Sequence, residues 1–185
     1  MKRGIFLLAF LLGFLQANAQ NSSDTASADW QAGLELDVLP FALGGYFGAS
    51  WIGKDQVRLR LLSAKVNKPD FTTNSAFTHH QIHAYALVAD YFLQPGWRGW
   101  WVGAGPVYWQ STIISKSSGT EASFFNWLFN GSIGYHYQIK TRIYVSPWAG
   151  LSLRFAGNKN VLVGTERYTL PLLNPEISVK FGFIL

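Results

Sequence analysis

The last nine residues, Ile177-Ser178-Val179-Lys180-Phe181-Gly182-Phe183-Ile184-Leu185, decide how the rest of the chain is read. Ile177, Val179, Phe181, Phe183 and Leu185 fall on one side of an extended chain. Glu176, Ser178, Lys180 and Gly182 fall on the other, a period of two that marks a strand with unlike faces. The same alternation recurs upstream. Leu34, Leu36 and Val38 oppose Glu35 and Asp37; Val57, Leu59 and Leu61 oppose Arg58 and Arg60. Phe125, Trp127, Phe129, Ile133 and Tyr135 oppose Asn126, Asn130, Ser132 and His136. Ile143, Val145, Ala149, Leu151, Leu153 and Phe155 oppose Tyr144, Ser146, Trp148, Ser152 and Arg154.

This pattern predicts eight strands, at roughly 30–38, 45–52, 56–65, 78–93, 99–114, 121–138, 142–156 and 172–185. The connections differ systematically in length. Gly53 to Asp55, Gln94 to Arg98 and Ile139 to Thr141 are tight, whereas Val66 to Phe77, Ser115 to Thr120 and Gly157 to Pro171 are longer and polar; Leu39 to Gly44 is a short exception. Alternating short turns and long loops suit an up-and-down barrel that crosses an outer membrane. A soluble barrel of lipocalin type has the same strand count but no reason for the asymmetry.

Alternation alone does not say which face lies inside. The N-terminus weighs on that choice. Lys2 and Arg3 precede an apolar run, Ile5 to Leu15, and Ala17-Asn18-Ala19 supplies a small-x-small cleavage pattern. The run is too short to cross a bilayer but suits a secretory signal peptide. Residues 1–19 are therefore expected to be a signal peptide cleaved near Ala19, 20–29 (QNSSDTASA and Asp29's neighbourhood) a flexible leader, and 30–185 the barrel. The expected class is all-β, an eight-stranded antiparallel up-and-down transmembrane β-barrel in the bacterial outer membrane. Helical spanning is not expected, because charges, Gly or Pro interrupt every candidate run, and a membrane admits only helices or closed barrels.

Composition agrees. Aromatic residues make up 16% of the chain, with eight Trp, and 49% is hydrophobic. Without Lys2 and Arg3, 13 basic residues face 10 acidic ones, a net +3 too small and scattered to suggest nucleic acid. The absence of Cys removes disulfides, thiol nucleophiles and thiolate metal sites.

The alternating terminal strand, Ile177, Val179, Phe181, Phe183 and Leu185, resembles that of the small outer-membrane β-barrel proteins of the OmpA/OmpX type. Their commonest last residue is Phe, where this chain has Leu185. The resemblance implies a C-terminal signal read by the barrel assembly machinery. Segments GLELDVLP (33–40) and AYALVADYF (84–92) look like those of a barrel family that brings no function with it.

With the apolar faces in lipid, Glu35, Asp37, Arg58, Arg60, Arg154, Glu176 and Lys180, with His83 as a further candidate, converge on the lumen. A barrel of this size is filled by side chains, and buried ions must be paired, so these residues are expected to form a salt-bridge plug; a switchable gate is the functional alternative. Trp51, Trp97, Trp100, Trp101, Trp109, Tyr137 and Tyr144 are expected to form aromatic girdles at headgroup level. His79 and His83 share a strand face that His80 does not, a poor metal site, so no metal or other cofactor is expected. Serine chemistry of the lipid A-modifying barrels would need His79 or His80 beside Ser75, Ser115 or Ser117. No catalytic residue is assigned. The leading expectation is a non-enzymatic structural or surface-interaction barrel, with a lipid A-modifying enzyme or a narrow pore as alternatives. Expected partners are outer-membrane lipid, the assembly machinery, and a surface ligand at loops 66–77 and 157–171; in the second, a Val-Leu-Val run, Gly164-Thr165 and Arg-Tyr-Thr lead to the expectation that strands seven and eight continue above the membrane as a hairpin.

Overall fold

The computed structural model describes residues 30–185. The expected signal peptide and leader lie outside the described residues. Ten strands form: β1 (Gln31–Asp37), β2 (Tyr46–Lys54), β3 (Val57–Asn67), β4 (Phe77–Gln94), β5 (Arg98–Ser115), β6 (Glu121–Lys140), β7 (Ile143–Gly157), β8 (Asn160–Val163), β9 (Glu166–Thr169) and β10 (Leu173–Ile184). Eight close a barrel in the order β1-β2-β3-β4-β5-β6-β7-β10, with β10 returning to β1; β8 and β9 pair as a separate hairpin. All neighbours are antiparallel. The tight turns lie at one end with the described N-terminus and Leu185, and the long connections at the other.

The apolar faces point out. Leu34, Leu36, Leu61, Phe129, Leu151 and Phe181 are all exposed, while Glu35, Arg58, Arg60, Asn130, Ser152 and Lys180 are buried. A soluble barrel needs the opposite arrangement. Among the described residues no helix is long and apolar enough to cross a membrane. Strands remain as the spanning elements.

The exceptional first connection holds one turn of helix, α1 (Val38–Ala42), capped by Asp37, whose carboxylate accepts from Leu39 N at 3.2 Å. Its consequence for the wall is large. β1 pairs with β10 from Gly33↔Ile184 to Asp37↔Lys180, whereas β10 pairs with β7 as far as Leu173↔Leu153. Residues 173–179 of β10 thus have a strand on one side and α1 near the other.

A bulge interrupts β4. The register with β5 shifts between Thr78 and Gln81, and His79 has a φ of 52°. Phe77 and His80 consequently both face inward, and His79 is turned out. The β8–β9 hairpin then lies over the loop end, with Val163, Tyr168 and Leu170 packed on Phe77, Ile113 and Phe124.

Candidate functional site: the barrel interior

The interior is layered from the turn end upward. At the bottom, Trp51, Phe92, Trp97, Trp101 and Tyr144 form a buried aromatic floor. Room for these rings comes from glycines directly across the sheet. Trp51 pairs with Gly33, Trp101 with Gly134 and Tyr144 with Gly182. A Cβ on Gly182 would stand 2.0 Å from the Tyr144 ring, and one on Gly134 would stand 2.4 Å from Trp101.

This arrangement corrects the expected girdle. Trp51, Trp97, Trp101 and Tyr144 are buried inside, and Trp109 also lines the interior. Trp100 and Tyr137 do face outward. The reason is steric: a small-residue track on neighbouring strands gives large rings a place in the lumen, and polar ring atoms find partners there. Trp51 Nε1 donates to Tyr144 Oη at 2.9 Å, and Trp101 Nε1 donates to Ser146 Oγ at 3.0 Å.

Above the floor sits a closed ion cluster. Arg58 Nη1 meets Glu35 Oε1 at 2.9 Å, and Arg58 Nε donates to Asp90 Oδ2 at 2.9 Å. Arg60 Nη1 meets Glu35 Oε2 at 3.2 Å, and Arg60 Nη2 meets Asp90 Oδ1 at 2.9 Å. Each carboxylate bridges both guanidinium groups, so two positive and two negative charges cancel within one ring. Tyr144 Oη adds a donor to Glu35 Oε1 at 2.8 Å. Arg58 also lies 5.2 Å from the Phe92 ring centroid, and Arg60 lies 5.4 Å from that of Trp101. None of the four ionic side chains is more than 2% exposed. The cost of burying these four groups is offset because each is matched by two opposite charges.

The sequence reading missed Asp90. It shares its side of β4 with Ile82 and Val88, which read as apolar, and all three point inward. The pairing Arg58↔Asp90 on adjacent strands was the available signal.

The remaining expected lumen residues do not join this cluster. Asp37 accepts from Trp148 Nε1 at 2.7 Å and from the Ser178 hydroxyl. Among the described residues Lys180 has no carboxylate within ion-pair distance; it lies 4.3 Å from the Trp148 ring centroid and 4.9 Å from that of Trp101. Glu176 accepts from Ser152 Oγ at 2.7 Å. Arg154 lies at the loop end, where its guanidinium donates to Leu170 O at 3.3 Å. His83 faces outward, because Ala84 and Ile82 take the inward positions of β4.

Above the ions the barrel is not filled. A cavity of about 570 Å³ occupies the loop half, bounded largely by small or apolar side chains such as Phe47, Ala64, Ala84, Ala86 and Val107, with Arg60 and Lys180 at its base and Asp37, Lys68, Asn130, Asn174 and Glu176 also on its wall. This departs from the expectation of a packed lumen. Beside it, under the hairpin, is a second space of about 10 Å³ bordered by His80, Ser111, Asn126 and Tyr168. His80 Nε2, Ser111 Oγ and Asn126 Oδ1 are buried there with no partner among the described residues. That volume suits one water-sized molecule and three polar contacts. Burial, with the nearby Lys68 charge, lowers the His80 pKa to about 4. His80 stands above the apolar belt of its strand, which runs outside from Tyr85 to Leu93.

The serines considered for catalysis are not brought to the histidines. Ser115 Oγ donates to Glu166 Oε2 at 2.6 Å and contacts Ser117 Oγ at 3.0 Å, while His80 Nδ1 lies 3.5 Å from Tyr168 Oη. His79, at the exposed bulge, contacts Thr78 Oγ1 at 3.1 Å.

No family model matches the chain, and no curated protein matches it in sequence. Two solved structures resemble it in fold. One is the N-terminal β-barrel domain of Pseudomonas aeruginosa OprF, with a TM-score of 0.58 and 14% identity over 86% of this chain and 100% of that one. The other is Neisserial surface protein A (NspA), with a TM-score of 0.50 and 9% identity over 86% of this chain and 99% of that one. The ring of eight antiparallel strands, polar inside and greasy outside, is the fold of the small outer-membrane β-barrels.

Proposed function

We propose that the chain resides in the bacterial outer membrane as a non-conducting, non-enzymatic barrel that supports the envelope and presents its loops. The observation carrying this reading is the Glu35–Arg58–Arg60–Asp90 ring, fully buried across the lumen on an aromatic floor. An ion crossing it would have to displace matched charges in a low-dielectric interior. The exposed Leu, Ile and Phe belt supports contact with lipid, since so extensive an apolar surface is untenable in water. The tight turns and both termini of the barrel chain are assigned to the periplasmic side, after removal of residues 1–19 near Ala19.

In this reading Ile177, Val179, Phe181, Phe183 and Leu185 serve assembly first and lipid contact afterwards. The loops 66–77 and 157–171 are the surface-binding elements; Phe71 and Leu162 are exposed apolar side chains within them. Planar-bilayer recording tests the closed lumen. The purified barrel is expected to insert without unitary current steps, and reproducible steps from the native chain would overturn the plug. Lipid A mass spectra from cells with and without the gene are expected to be the same; a change in acylation would favour the enzymatic alternative.

A further inference from the structure

We infer that the loop half of the barrel is a binding chamber for one acyl chain of a bilayer lipid, admitted sideways between α1 and the edge of β10. The inference rests on the membrane assignment above and adds a ligand and an entry route to it.

Three observations converge. The chamber has a volume of about 570 Å³, within the roughly 300–1,000 Å³ typical of ligand sites. Its walls carry Ala64, Ala84, Ala86 and Val107, so it is hollow because small side chains stand where the turn half has Trp and Tyr. Finally, its boundary is not confined to inward-facing residues. Leu39 of α1 and Leu173 and Ile177 of β10 border it too, and these are 42%, 49% and 74% exposed on the outer surface.

The wall explains that last feature. From Asp37 onward β1 gives way to α1, so residues 173–179 of β10 present an edge that no strand covers. The link across this gap is polar and local: Leu39 N donates to Ser178 Oγ at 3.2 Å. Leu36, Phe41 and Leu172 continue the apolar surface around the opening. A gap at this position connects the chamber with the medium that bathes the apolar belt.

That medium identifies the occupant. Water along the Ala, Val, Phe and Ile stretches that make up most of the wall would find no hydrogen bonds, its polar contacts being confined to groups such as Asp37, Asn130, Asn174 and Glu176, and a void would forfeit dispersion along the apolar lining. An acyl chain avoids both costs. The base favours a neutral tail over a free carboxylate, because Arg60 already holds two carboxylates and Lys180 is seated on two Trp rings with acidic Asp37 as its cross-strand neighbour. The lipid headgroup would remain outside, where the uncovered β10 edge offers backbone donors and acceptors.

The test is proton Overhauser contact between lipid and methyl groups, with the folded chain in nanodiscs of dimyristoyl phosphatidylcholine. Acyl methylene contacts are expected at the inward methyls of Ala84, Ala86 and Val107, as well as at the outward methyls of Leu61, Leu87 and Ile133. Contacts at the outward set alone, with water at the inward set, would overturn the chamber while leaving the membrane assignment intact. Contacts at neither set would overturn both. Filling the chamber with Ala84→Phe and Ala86→Phe is expected to abolish acyl contact at Val107 and preserve it at Leu61; persistence at Val107 would place that contact outside the chamber and overturn the inference.

Discussion

The two halves of the barrel interior solve the same problem in opposite ways. The turn half is filled: five aromatic side chains form a floor, and four ionic groups cancel above it. The loop half, walled by the same strands except where α1 takes the place of β1, is left hollow by alanines. Seven of the eight strands run through both halves, so strand number does not decide whether such a lumen is packed. Side-chain volume at the inward positions decides it, together with whether the facing residue across the sheet is glycine.

The difference makes each half vulnerable to a different change, and the largest effect belongs to the ions. Arg58→Met leaves Glu35 and Asp90 sharing Arg60 in a buried site, and is expected to cost about 3–5 kcal/mol in reversible urea unfolding from phospholipid vesicles. Arg154→Met, at the loop end and bonded to carbonyls beside the hairpin, is expected to cost about 1 kcal/mol or less in the same assay. Equal losses at the two positions would erase the distinction.

Packing comes next in size. Gly134→Ala introduces a Cβ 2.4 Å from the Trp101 ring, and Gly182→Ala one that collides with Tyr144. Each is expected to lose about 1–3 kcal/mol through displacement of the floor. Ala86→Val adds more volume in the loop half, yet is expected to change stability by less than about 1 kcal/mol because its methyls enter the chamber. Unfolding midpoints for the three variants would sharpen or break the contrast.

The smallest effect is a pH response at the hairpin. His80 carries a pKa lowered from 6.5 to about 4, so the folded state binds fewer protons than the unfolded chain between these values. Stability from this group is present above about pH 6.5 and declines as pH falls towards 4. Lys68, Arg154 and Tyr168 border the same small space, and the first two add repulsion once the imidazole is charged. Amide exchange of residues 160–169, corrected for intrinsic rates, is expected to quicken over that range, and His80→Phe is expected to flatten the response.

Much of the architecture was legible because lipid and lumen impose opposite polarities on alternate residues. Phe125 to Tyr135 in β6 and Ile177 to Leu185 in β10 carry that signal, broken only at inward Leu128 and Ile184, and the Val-Leu-Val run beside Gly164-Thr165 pointed to a hairpin, which forms as the separate β8–β9 pair and not as a continuation of the barrel strands. Interior detail was less legible, since it depends on register between strands. Trp101 reads as a girdle residue until Gly134 is known to lie opposite. Asp90 is hidden among apolar neighbours until Arg58 is paired with it. The His79 bulge has no sequence marker, because a positive φ at His lacks the signature that Gly supplies. The chamber did leave a trace: Ala84 and Ala86 alternate with Tyr85 and Leu87, placing the small side chains inside.

The inversion of polarity, with its hollow upper half, is tested most directly by spin labels at single cysteines along β4. The native sequence contains no Cys, so each label is unique. In lipid bilayers, labels at 85, 87, 89 and 91 are expected to collide with dissolved oxygen as lipid-exposed sites do. Labels at 84 and 86 are expected to fold and remain mobile in the chamber, whereas one at 90 should be immobilised or prevent folding. Oxygen contact greatest at 88 and 90, or a monomer that keeps all eight labels soluble without lipid or detergent, would contradict the account.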